Sequence, residues 1–381
     1  MSDSRGREAA RATLDAAPIG RVFVEIAVGD GPISGLATSS DGTRLIVSNY
    51  GTGSVSIIDT DHCRVVETID GLDEPFALAM GGPGADRAYV STVSPAYDAI
   101  AVIDTSTNTV VARHPLALSV SDLAVAPRGE RVYASRNGTR IADVAVLDTA
   151  TGRIETVDLG VRGPGITADC VGASPDGDRA YVGVNGPSGG RLVMIEAAQP
   201  DEAARPQPST RSGARDGRTG LRVVGSVEIG LPVRGVALSP TGALVYVASC
   251  DPELGVVVDA VDTRTRKIAS TCKLGELSGI LTGFTLSADG DRAYLVSDDR
   301  VTVLCTLTED VLGTLRVPAQ PSCAAESPDG TRLYVADYAG AVTVTPVDWS
   351  DRCDVEDDVP CGDVPTAWAV PEFMAYEPAL T

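Results

Sequence analysis

The chain is poor in the residues on which most site chemistry rests. Its two histidines, His62 and His114, are too few for a histidine-rich metal centre. Eight cysteines occur, but never as Cys-x-x-Cys or Cys-x-x-Cys-His, which speaks against structural zinc and covalent haem. Tryptophan is present only at Trp349 and Trp368, so a tryptophan-lined quinone site has no material. No run of 18 or more apolar residues exists, so no segment has the length of a membrane-spanning helix. Residues 1–20 are polar and lack the apolar centre of a Sec signal peptide. The expectation is a cytoplasmic protein with reduced thiols, or alternatively a cell-envelope protein exported by a non-Sec route. Lysine is as scarce as histidine, at Lys267 and Lys273, and the formal net charge is −21. Neutralising phosphates needs a clustered Lys/Arg surface, so nucleic acid is excluded as a partner.

What is abundant is turn chemistry and short apolar alternation. Glycine (40) and proline (24) punctuate the whole length, as many short strands require. The phrase Ser327-Pro328-Asp329-Gly330-Thr331-Arg332-Leu333-Tyr334-Val335-Ala336 returns near Ser174, Ser287 and, more loosely, Ser39. Aligning its Tyr-Val pair gives seven registers: Ile46, Tyr89, Tyr133, Tyr181, Tyr246, Tyr294 and Tyr334. Spacings of 43, 44, 48, 65, 48 and 40 residues fit four-stranded blades around an axis. An apolar-acid pair follows six of them, at Asp59, Asp104, Asp148, Glu196, Asp262 and Asp348, while the sixth unit reads Cys305-Thr306.

Unit one divides into strand A (35–38), strand B (44–49), strand C (54–59) and strand D (64–69). The Asp41-Gly42 pair is expected to make a tight hairpin with φ > 0 at both residues. Six D strands are found in place, and the seventh unit runs out after 342–347. Residues 21–29 read like a D strand ahead of unit one, so they are expected to pair with the last unit and close the ring, which removes an exposed sheet edge. The expected architecture is all-β: a seven-bladed propeller over 21–349, preceded by an arm (1–20). An aperiodic, Pro/Ser/Arg-rich insertion at about 197–220 is expected to stay disordered, and an acidic tail (350–381) to pack on the propeller.

The units resemble the YVTN repeat of bacterial and archaeal seven-bladed propellers, the group that includes surface-layer-type and lactonase-like members. Unit five shows the form as Pro232-Val233-Arg234-Gly235-Val236-Ala237-Leu238-Ser239-Pro240-Thr241-Gly242, then Tyr246-Val247. The resemblance implies a scaffold and carries no catalytic residue with it.

Catalytic patterns are few. Gly186-Pro187-Ser188-Gly189-Gly190 spells a nucleophile elbow, but falls in a strand-to-strand loop where that motif needs a strand-to-helix turn. Acids between Asp351 and Asp358 lack the glycine and spacing of a calcium loop. The repeated Asp41, Asp176, Asp289 and Asp329 read as turn residues. Two cysteine pairings are conceivable, Cys250 with Cys272 and Cys353 with Cys361. The position before the Gly that opens strand A would ring the channel mouth: Ser34, Phe76, Ser121, Asp169, Arg234, Thr282 and Ser322. Candidate ligand-binding residues are therefore Ser34, Asp122, Asp169 and Arg234, with Arg136, Asp337 and His114 on the same face. Asp169 and Arg234, on adjacent units, could form an ion pair or grip a polar ligand. The expectation is a monomeric, non-catalytic scaffold without cofactor or metal, binding a protein or small polar ligand at that mouth. A lactonase-like hydrolase is the alternative.

Overall fold

A computed structural model describes residues 24–347, except 83, 85, 95–96, 198–219, 252–253, 276, 278–279 and 318. The arm, most of the insertion, the tail and the Cys353/Cys361 pair lie outside these residues. Among the described residues, 28 strands form seven antiparallel sheets of four. The chain enters with β1, Val24–Ala27. Blade one is β2 (Ile33–Thr38), β3 (Arg44–Asn49), β4 (Ser54–Asp59) and β5 (Arg64–Asp70). Blade two is β6 (Leu78–Met80), β7 (Arg87–Thr92), β8 (Asp98–Asp104) and β9 (Thr109–Leu116). Blade three is β10 (Ser119–Val125), β11 (Arg131–Asn137), β12 (Ile141–Asp148) and β13 (Ile154–Arg162). Blade four is β14 (Thr167–Ala173), β15 (Arg179–Gly186), β16 (Gly189–Ala197) and β17 (Leu221–Glu228). Blade five is β18 (Val233–Leu238), β19 (Leu244–Asp251), β20 (Gly255–Asp262) and β21 (Lys267–Leu274). Blade six is β22 (Gly283–Leu286), β23 (Arg292–Ser297), β24 (Arg300–Cys305) and β25 (Val311–Arg316). Blade seven is β26 (Pro321–Glu326), β27 (Arg332–Asp337) and β28 (Ala341–Pro346), completed by β1.

Closure therefore joins the two ends of the described residues. Val24 lies opposite Val344 and Ile26 opposite Val342. Ile26 is buried among Ile33, Leu45, Val47, Tyr334 and Val342, so β1 seals the seam between blades seven and one as well as the edge of β28. Just past β1, the Val28 and Gly29 amides donate to the Gly340 carbonyl at 2.9 and 3.2 Å. Because the four strands of a blade alternate in direction, the A–B and C–D turns of every blade fall on one face, here the lower. The B–C and D–A loops fall on the upper face.

The repeated phrase is a turn recipe. In blade one the Ser39 hydroxyl donates to Asp41 at 2.6 Å and accepts from the Arg44 amide at 3.0 Å, while the Gly42 amide reaches the Ser39 carbonyl at 2.9 Å. Blades four, six and seven repeat this through Ser174, Ser287 and Ser327. The turn differs from the expected hairpin in one respect. Only the glycine has positive φ, +73° at Gly42 and +70° at Gly330, and the aspartate does not. The loop is wider than a two-residue hairpin because the carboxylate must stay where it can accept from serine and from the residue after glycine. The apolar-acid landmark works alike in the C–D turns: Asp59, Asp104, Asp148 and Asp262 each accept from backbone amides two or three residues on. In blade seven the corresponding residue, opposite Arg332, is Pro346, and Asp348 lies outside the described residues.

The tyrosines of the phrase are buried between blades, Tyr133, Tyr181, Tyr294 and Tyr334 almost completely. One of them organises a buried polar cluster. Glu326, its side chain 2% exposed, receives the Tyr294 hydroxyl at 2.6 Å, Arg292 Nη2 at 3.1 Å and the Ala288 amide at 2.9 Å, tying blade seven to blade six. The other strand-A ends at this register are Thr38, Met80, Val125, Ala173, Leu238 and Leu286. A lone acid in that series is a signal that sequence reading passed over.

Candidate functional site at the channel mouth

The mouth position inferred from sequence has a structural identity that periodicity could not show. In five blades it is the extra residue of a β-bulge: Ser34, Ser121, Asp169, Arg234 and Ser322 each fall at a register shift between the innermost strand and its neighbour. A bulge re-aims a side chain out of the ladder. In blades two and six, Phe76 and Thr282 precede the strand. In blades one and five a glycine follows the bulge and is demanded by the neighbouring blade: a Cβ on Gly35 would sit 2.9 Å from the Phe76 carbonyl, and one on Gly235 would sit 2.5 Å from Phe284 Cβ.

Most of these side chains are spent on holding blades together. The Ser34 hydroxyl donates across the seam to the Pro75 carbonyl at 2.8 Å, and Thr282 to the Pro321 carbonyl at 3.2 Å. Ser121 accepts from Asn137 Nδ2 at 2.6 Å, while Asn137 Oδ1 accepts the Ala168 amide of the next blade at 2.7 Å. Asn185 repeats the device, bridging the Val233 amide and carbonyl at 2.7 and 2.8 Å and donating to Asp169 at 2.7 Å. Asp169 thus pairs with Asn185. No ion pair joins it to Arg234, which corrects that part of the expectation. Arg234 is exposed and has no hydrogen bond or ion pair to any described residue.

Asp122 follows the bulge of blade three. Its carboxylate accepts the Leu123 amide at 2.8 Å and the Val171 amide of blade four at 2.9 Å. Desolvation outweighs those two donors and raises its pKa to about 7. A carboxyl that holds its proton more tightly folded than unfolded stabilises the fold at pH below its unfolded value near 4, and that contribution is lost as pH rises through about 7. Stability should therefore fall between about pH 4 and 7, by on the order of a few kcal/mol for a shift of this size. Asp122→Asn should flatten that slope in urea titrations at the two ends of the window; an unchanged slope would reject the assignment.

Three further candidates serve the scaffold instead of the mouth. Arg136 is buried and paired with Asp143 at 2.8 Å, with Thr156 accepting from its Nη2 at 3.1 Å, all within blade three's sheet. The Asp337 carboxylate accepts the amides of Ala339, Gly340 and Ala341 at 2.9 Å each, and burial raises its pKa. His114 lies on an outermost strand with its ring against Gly152 in the C–D turn of the next blade: a Cβ there would come 3.1 Å from Cε1. Its strand ends toward the upper face, which is why the sequence suggests the mouth, but outer strands of a twisted blade reach across to the neighbour. Cys250 and Cys272 are free thiols on β19 and β21, separated by the whole of β20. Two strand spacings of about 4.8 Å put them beyond disulfide reach. The Gly-x-Ser-x-Gly motif is a tight hairpin, Gly186 pairing with Gly189. Among the described residues no group of three or more His, Cys, Asp or Glu could hold a metal ion, and no helix is long and apolar enough to cross a membrane.

What remains at the mouth is two residues on adjacent blades: the Arg234 guanidinium, without a partner among the described residues, and the Asp169 carboxylate held by Asn185. Beneath them lies the buried Cys170, whose thiol pKa is pushed well up by burial and by Asp122 and Asp169, against a smaller opposing effect of Arg234.

Seven four-stranded blades closed by an N-terminal strand define a seven-bladed β-propeller. The chain is 51% identical to the seven-bladed beta-propeller protein Rv1057 of Mycobacterium tuberculosis over 395 residues, covering all of both chains, and it belongs to that protein's family. No family model matches it. Among solved structures it is similar to Kuenenia stuttgartiensis hydrazine synthase, with a TM-score of 0.69 and 19% identity over 84% of this chain and 97% of that one, a likeness of fold alone.

Proposed function

We propose that the protein is a binding scaffold whose upper mouth, at Arg234 and Asp169, receives an anionic or polar group of a small ligand or of a partner protein's loop. The observation that carries this reading is Arg234 itself. It stands on a bulge, exposed and unpartnered, where the equivalent Ser34 and Ser121 are engaged in hydrogen bonds. A guanidinium offers a fork of donors suited to a carboxylate or phosphate, and Asp169 beside it accepts from a hydroxyl or amine. We read the repeated phrase as of the YVTN type, which fits a scaffold whose repeated grammar builds turns and leaves the mouth residues free to differ from blade to blade.

The test is a thermal-shift screen of small carboxylates and phosphate esters against the wild type, Arg234→Ala and Asp169→Ala. A ligand of this site should raise the wild-type melting temperature and bind Arg234→Ala at least about tenfold more weakly, roughly 1.4 kcal/mol. Hits that bind all three proteins equally would remove the mouth from the account. Lactone hydrolysis above background, lost in both variants, would replace binding with catalysis.

A further inference from the structure

We propose that the free outer edge of β21 is the docking edge for an acidic segment of the same chain, residues 354–363. β21 is the outermost strand of blade five, so alternate backbone amides and carbonyls along it face no partner strand among the described residues. Together with the turn before it, residues 264–269 form the longest unbroken run of exposed residues in the described structure. That run carries Arg264, Arg266 and Lys267, and Lys273 follows on the same strand; Lys267 and Lys273 are the chain's two lysines. No other outermost strand is like it. β1, β5, β13 and β17 each carry at least one carboxylate, and β9 and β25 have a single arginine apiece. In a chain of net charge −21, this is a localised basic edge.

The surroundings show what such an edge attracts. Arg266 Nη1 already donates to the Val224 carbonyl on the outer strand of blade four at 2.6 Å, so cations from this turn reach edge backbone. Ile268 stands exposed between the cations. Lysines on a free edge also deter edge-to-edge association, and single exposed apolar residues such as Val66, Val111 and Val223 stand on other outermost strands too, so it is the charge of this edge that sets it apart. An extended acidic strand with apolar residues would add main-chain hydrogen bonds, charge pairs and a cover for Ile268. Residues 354–363 carry five carboxylates, no cation, and the apolar Val355 and Val359. The described chain leaves blade seven at Val347 on the lower face, the face of the turn that leads into Lys267. Sixteen residues separate Val347 from Asp363 and extend to about 50 Å, against a radius of gyration of about 20 Å for a compact domain of this size.

Having two lysines makes the test direct. A carbodiimide joins a lysine amine to a carboxylate in contact with it, and peptide mass spectrometry locates the bond. On the full-length protein the expected result is a crosslink from Lys267 or Lys273 to a carboxylate within residues 354–363. In an equal mixture of light and nitrogen-15-labelled protein it should form within one chain, and its yield should fall several-fold in 0.5 M salt. Ile268→Glu keeps both lysines and repels the segment, so it should cut the yield several-fold too. Absence of the crosslink while both lysines acylate freely overturns the proposal, as does an unchanged yield in Ile268→Glu. Crosslinks found only between light and heavy chains would overturn it too, assigning the edge to a second copy. None of these readouts depends on Arg234 or a mouth ligand.

Discussion

Deletion of residues 1–28 should lower the melting temperature by about 10 °C. The segment contributes β1, whose Ile26 is buried at the seam between the last blade and the first and whose backbone completes the edge of β28. Removing it strips one buried and two half-buried apolar side chains, Ile26, Val24 and Val28, uncovers Val342 and Val344, and takes the Val28 amide from the Gly340 carbonyl. Burial of each such side chain is worth about 1.5–3 kcal/mol, so the sum is on the order of 5 kcal/mol. At this chain length each kcal/mol moves the midpoint by roughly 2 °C. Circular dichroism melts of the full-length and truncated proteins decide the matter, and coincident transitions would show that the ring is held without its closing strand.

Glu326→Ala should destabilise the fold more than any single substitution at the mouth. It leaves Arg292, 18% exposed, without one of its two carboxylate partners and deprives the buried Tyr294 hydroxyl of its acceptor. Breaking a buried, hydrogen-bonded ion pair by removing one member typically costs about 3–5 kcal/mol, because the other charge stays buried. Glu326→Gln, which can still accept from Tyr294, should fall between that and wild type. A double-mutant cycle with Tyr294→Phe separates the hydroxyl's share: the two changes should be strongly non-additive. A Glu326→Ala protein within about 1 kcal/mol of wild type in urea titrations would mean the cluster does not tie the blades as described.

The architecture was legible because it is written seven times. One Tyr-Val register could be coincidence, but seven of them, four with an Asp-Gly turn before and six with an acid after, leave few alternatives, and counting outer strands exposed the one missing from blade seven. The turn conformation was misjudged because Asp-Gly is shared by two hairpin types. What separates them is the serine two residues before the aspartate, which makes the carboxylate a hydrogen-bond acceptor instead of a left-handed residue. The mouth was located but its chemistry was not. Ser34, Arg136 and Asp337 look alike to a reader of sequence, as polar residues near a strand end. Arg136 and Asp337 are taken up within their own blades, and whether Ser34 is free depends on the bulge offset and on the Pro75 carbonyl that the next blade presents at 2.8 Å. Such relations join residues 40 or 50 positions apart, as Asn185 does to Val233, and no local pattern encodes them. Arg234 emerged as the candidate by elimination, once the structure had accounted for its neighbours.

The first described strand pairs with the last: Val24 must find Val344, 320 positions away. While the polypeptide is being made, six sectors can assemble in order, each on the one before, but β1, made first, has no strand to pair with until β28 has been delivered. Until then Ile26 lacks the Tyr334 and Val342 side chains that help to bury it. Any fragment that ends short of β28 therefore leaves the wheel with an open rim.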